Sequence, residues 1–185
     1  LERVVTVDPG SPNKWHSLAE TYWLLRRYPE ADRAFERTLA LNPRWGSAYG
    51  YRAAVRLCRA GRVDEARALV QQAPVGPDLL EADSVAKQLV EFDILERRYD
   101  QAQARARSLD MEAFSFLEAY MPLSCIVGDA LRLKGDRPGA QKSYELALEQ
   151  VERELKQRPD DPRLFSALGL VHAGLGHKDE ALRAV

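Results

Sequence analysis

Three histidines (His16, His172 and His177) and two cysteines (Cys58 and Cys125) are the chain's only soft metal ligands. None stands in an HExxH, CxxC or HxxxH spacing, so no zinc site is expected. Gly169 and Gly174 have the glycine spacing of a phosphate-binding loop. That loop needs a lysine and then a hydroxyl residue next, whereas Leu175 and Gly176 follow here, with no strand before them. These glycines are expected to serve helix contacts and helix ends. No serine lies in GxSxG, and residue order alone argues no Cys–His pairing. The 28 acidic residues are read as solvated helix faces. The sequence presents no catalytic, cofactor-binding or metal-binding set.

With 45% hydrophobic and 30% charged residues, the chain has ample material for a folded core. A formal net charge of -1 provides no global field toward nucleic acid or an anionic membrane, so neither is an expected partner. No stretch approaches the roughly 18–20 apolar residues of a membrane-spanning helix, so no membrane insertion is expected. Cys58 and Cys125 fall two units apart and are expected to be buried free thiols. A reducing compartment fits, with the cytoplasm favoured and the periplasm left open.

The elements that would position any site follow from a recurrence. Tyr28-Pro29-Glu30-Ala31, Val63-Asp64-Glu65-Ala66, Tyr99-Asp100-Gln101-Ala102, Arg137-Pro138-Gly139-Ala140 and Lys178-Asp179-Glu180-Ala181 share one shape, with alanines 35, 36, 38 and 41 residues apart. A period of about 20–50 residues signals a stacked repeat array. In the first unit, Trp15, Leu18, Ala19, Tyr22 and Trp23 form an apolar stripe at helical spacing, and Ala31, Ala34, Phe35, Thr38 and Leu39 form a second. Ser11-Pro12 starts the first helix as cap and first-turn proline, and Asp161-Pro162 repeats that entry; Asn42-Pro43 stops the second helix.

Trp15-x2-Leu18-Ala19-x2-Tyr22, Ala31-x3-Phe35 and Pro43 resemble the tetratricopeptide (TPR) repeat. Phe165-x2-Leu168-Gly169-x2-His172, followed by Gly176 and Ala181, matches again, with His172 in the usual aromatic slot. The resemblance implies an all-α fold, a right-handed α–α superhelix of antiparallel helix pairs, in a piece of a longer, bacterial protein. Small residues at Ala19 and Ala31 let paired helices approach while the aromatics fill the gaps between turns. The expected division of a single array is 1–9 as the end of a preceding repeat, then 12–45, 46–77, 78–110, an extended 111–159 and a truncated 161–185. In the second repeat Gly61 comes one residue late. The third has Val90 and Asp93 where a small and an aromatic residue are usual. In the fourth, the first helix is expected to start as early as Met111 and bend near Pro122, and the second to run to about Arg158.

In TPR proteins the first helices line a concave groove that holds peptides or helices. The usual groove positions carry over to Asn13, His16, Glu20 and Trp23, to Tyr51 and Val55, to Ser84, Lys87, Glu91 and Ile94, to Cys125, Asp129 and Arg132, and to Arg163, Ser166 and Leu170. The TPR domains that grip a chaperone's terminal carboxylate use lysine and asparagine there, and Glu20 would repel that group. The expected function is a non-catalytic scaffold that binds a protein or peptide. Two other readings stand beside it. One is an oligomerisation element using the apolar run Met111–Leu123, which includes Phe114, Phe116, Leu117, Tyr120 and Met121. The other is a recruiting or regulatory region of an enzyme whose catalytic domain lies outside the chain.

Overall fold

The computed structural model describes residues 2–74, 82–115 and 119–184. Two compact units divide the chain, Leu1–Phe92 and Asp93–Val185. The fold is all-α, a TPR-type solenoid of helix pairs, with one small hairpin inserted.

In the first unit the helices are α1 (Glu2–Val7), α2 (Pro12–Leu24), α3 (Tyr28–Leu41), α4 (Gly46–Ala60) and α5 (Val63–Val70), and α6 (Ala82–Leu95) begins there. Neighbours in sequence pack on each other. Ala19 and Ala31 are fully buried at the α2–α3 contact, beside Phe35, Leu39, Ala48, Tyr49 and Val55. Pro12 occupies the first turn of α2, but the Ser11 hydroxyl makes no capping bond, contrary to the expected cap. Asp161 does cap its helix, accepting from the Arg163 backbone NH at 3.0 Å.

One turn design recurs along the chain. A residue with positive φ stands five positions before each recurring alanine: Arg26, Gly61, Arg97, Gly135 and Gly176. In four of these turns the next backbone NH donates across the turn, Arg27 to Tyr22 (2.8 Å), Arg98 to Asp93 (2.7 Å), Asp136 to Leu131 (2.9 Å) and His177 to His172 (2.9 Å). This is a helix end closed by a left-handed residue, which satisfies carbonyls the helix leaves open. The second turn closes instead through the Gly61 NH on Leu57 at 2.7 Å. The late glycine thus reflects one additional residue within α4, and the turn itself is conserved in kind.

In the second unit, α7 (Tyr99–Arg107) is followed by β1 (Ala113–Ser115), β2 (Tyr120–Pro122), α8 (Leu123–Lys134), α9 (Arg137–Gln157), α10 (Pro162–Leu175) and α11 (Lys178–Arg183). The long α9 ends where the sequence places it. The expected helix from Met111 is not formed: β1 and β2 pair antiparallel, with Phe114 opposite Met121. Pro122 precedes α8 and lacks the NH a continuing helix requires. Phe114 and Tyr120 are buried within this unit, which removes them from the apolar surface expected for self-association; Phe116 and Leu117 lie outside the described residues.

Asp93, in the aromatic slot of the third repeat, is fully buried, and the Arg105 Nε on α7 donates to its Oδ2 at 2.8 Å. A buried carboxylate paired with a partly exposed arginine stands where an aromatic ring would normally fill space.

Candidate functional site

Within the first unit, α2 presents Asn13 to solvent and holds Glu20 and Trp23 half-buried. His16 is only 7% exposed. Its Nε2 lies 3.1 Å from the Ser47 hydroxyl, and its ring stacks on Trp45 at 4.8 Å and meets Phe35 and Tyr51 edge-on. Its Nδ1 is 3.6 Å from the Glu20 carboxylate. His16 therefore joins α2 to the start of α4 instead of offering an open groove contact. Tyr51 stacks on Phe35 at 5.6 Å, nearly parallel, and Val55 is fully buried. Trp23 packs against Tyr28 of its own helix pair at 5.5 Å and keeps part of its indole open. On α6, Lys87 pairs with Glu91, which also accepts from the Gln88 amide at 3.1 Å. Ser84 lies near Gly50, where α4 and α6 approach closely.

In the second unit, the Tyr144 hydroxyl donates to Asp129 at 2.7 Å, and Arg132 Nε approaches that hydroxyl at 3.3 Å. Burial, then the Asp129 contact, hold the Tyr144 phenol well above its ordinary range. Arg163 forks onto Asp161 at 2.9 and 2.7 Å, and these bonds pull the Asp161 carboxyl down to about 2. Lys87, Arg132 and Arg163 thus each have an acidic partner, so none stands ready as a lone anion hook. Ser166 and Leu170 are exposed. Cys125 is buried, and that burial pushes its thiol up to about 12. Cys58 is exposed, contrary to the buried thiol expected of it.

Sequence positions alone missed one series. Leu24, Leu95 and Leu133 each stand two residues before a positive-φ turn residue, at or beside the ends of α2, α6 and α8, and they are 79%, 55% and 47% exposed. Their spacing from Arg26, Arg97 and Gly135 was readable, but only the turn geometry gives them a common place. A cleft of about 300 Å³ in the second unit, lined by Leu109, Met111, Leu123, Val127, Leu146 and Gln150 among others, also escaped the sequence reading. Among the described residues no helix is long and apolar enough to cross a membrane.

No family model and no curated protein sequence matches the chain. Solved structures do. PilW, described as a widely conserved type IV pilus biogenesis factor, aligns at 16% identity and a TM-score of 0.67, over 99% of this chain and 79% of its own. PilF of Pseudomonas aeruginosa aligns at 16% and 0.62, over 99% and 77%. YrrB, described as a TPR protein with an unusual peptide-binding site, aligns at 15% and 0.53, over 99% and 87%. The helix pairs, their shared turn and these structural likenesses agree: the chain has the fold of the TPR proteins.

Proposed function

We propose that the chain is a non-catalytic protein-interaction scaffold whose first helices bind a peptide or helix of a partner protein through apolar contacts. The carrying observation is the exposed leucine repeated at one place on α2, α6 and α8. Leucines left open to solvent at a recurring structural position offer a partner apolar area to bury. The charges nearest the groove positions are paired with one another, so a partner gains little from net charge and more from inserted apolar side chains, as when an amphipathic helix lies in a groove. The fold likeness to YrrB, a protein described as having a peptide-binding site, supports the class. Under this reading Asn13, Glu20, Lys87, Glu91, Asp129, Arg132 and Arg163 form polar margins, and Trp23 adds an apolar contact.

The test is a peptide selected from a random library for saturable binding, followed by affinity measurement with Leu24→Ser, Leu95→Ser and Leu133→Ser. Each exposed substitution is expected to weaken binding about tenfold, the scale of an interface anchor. Unchanged affinity in all three would overturn the apolar reading.

A further inference from the structure

In two of the helix pairs, the first and the last, the closing turn brings together the side chains of the NH donor and the carbonyl acceptor of its long backbone bond. In the first pair, these are Arg27 and Tyr22, and the guanidinium lies 4.6 Å from the ring centroid. In the last pair, both are histidines. His172 Nδ1 and His177 Nδ1 stand 3.4 Å apart, with the rings tilted 40°. The backbone bond from His177 NH to His172 O, 2.9 Å, and the left-handed Gly176 between them fix this approach from below. His177 is exposed and His172 half-exposed, so the pair is open to solutes.

At this separation the neutral pair shares one hydrogen bond, with one Nδ1 donating and the other accepting. If the donating ring moves its proton to Nε2, both Nδ1 atoms offer a lone pair, and rotation of the exposed rings can turn the two toward a common point. Two imidazole nitrogens at about 2.0–2.1 Å from one tetrahedral ion lie about 3.3–3.4 Å apart. The observed Nδ1–Nδ1 separation of 3.4 Å matches that ligand spacing.

We propose that His172 and His177 form a two-imidazole site for a divalent transition-metal ion of the copper, nickel or zinc type. Imidazole nitrogen suits these ions, whereas calcium and magnesium require oxygen donors. Among the described residues no group of three or more His, Cys, Asp or Glu surrounds an ion-sized space. The chain therefore supplies two ligands and water completes the shell. Binding needs no net proton release from neutral rings, only the tautomer change in one of them. The ion bridges the last turn of α10 to the start of α11, a six-residue helix with no buried residue of its own.

The experiment titrates Cu²⁺ alone into metal-free protein in a non-coordinating buffer at neutral pH. It follows nitrogen hyperfine splitting by electron paramagnetic resonance and local broadening of amide signals by NMR. The wild type is expected to bind one ion saturably, with two nitrogen ligands and broadening centred on residues 172–178. His172→Tyr restores the residue type usual in this slot and so protects folding, and His177→Gln removes the second ligand from an exposed site. Each is expected to lower affinity at least tenfold and to lose the two-nitrogen signature. Wild-type affinity in both variants, or broadening centred on His16, would overturn the site.

Discussion

The Tyr144 ring on α9 lies so close to the Gly174 backbone on α10 that a Cβ there would sit 2.6 Å from its Cε1. A Cβ at Gly128 on α8 would sit 2.8 Å from the same ring, so two first helices flank one buried aromatic. Alanine is the better helix former by about 1 kcal/mol, yet overpacking a fixed ring costs about 1–3 kcal/mol. Gly174→Ala and Gly128→Ala should therefore each lower the urea midpoint despite higher helix propensity. A stabilised Gly174→Ala would show that the ring can move aside.

Arg97 holds a positive φ of 59 where three equivalent turns hold glycine. A side chain in the left-handed region strains the backbone, and glycine does not. Arg97→Gly should raise stability by about 0.5–1 kcal/mol, read from denaturant unfolding at constant m-value. The reverse change, Gly135→Arg, should lose about 1 kcal/mol or more. Loss of stability in Arg97→Gly would mean that the arginine side chain contributes more than its turn costs.

These turns show which parts of the molecule the sequence exposes. A small residue at Ala31 and a left-handed residue five positions earlier are local requirements, and each leaves a residue type behind. The closing helix of the extended repeat was legible for the same reason, through Ala140, Tyr144 and Ala147. The hairpin around Phe114 and Tyr120 was not, because an aromatic run without strict alternation looks like a helix face, and its strands are defined only by pairing with each other. His16 occupied a groove position by register, but Trp45 at the close of its own repeat and Ser47 from the next capture its ring. The leucine series stayed hidden because exposure depends on which neighbours cover a residue, and that is decided by packing.

The Asp93–Arg105 pair, buried on the carboxylate side only, predicts an asymmetry. Arg105→Met strips a cation from a fully buried carboxylate and should cost about 2–4 kcal/mol. Adding Asp93→Leu removes the carboxylate that has lost Arg105, so the double variant should regain part of that loss. Thermal or urea unfolding of the wild type and the two variants checks this. A double variant as weak as Arg105→Met alone would contradict it.

Asp32 sets an acid limit on the first unit. Burial raises its carboxyl pKa, but hydrogen bonds from Arg52 and Arg56 on α4 outweigh that effect, and the net position is below the ordinary 3.8. A carboxyl depressed in the folded state stabilises above its unfolded pKa, and that contribution is lost as pH falls through the folded value. Wild type should lose more stability between about pH 5 and pH 3 than Asp32→Asn, measured by urea midpoints. Equal losses would show that the α3–α4 ion pairs contribute nothing to the acid response.

Leucine-methyl NMR of the protein with a bound, library-selected peptide is the most direct test of the scaffold reading. Methyl signals of Leu24, Leu95 and Leu133 should shift on saturation while the buried Leu164 stays in place. Shifts confined to Leu146 on α9, with those three leucines unmoved, would contradict binding on the first helices.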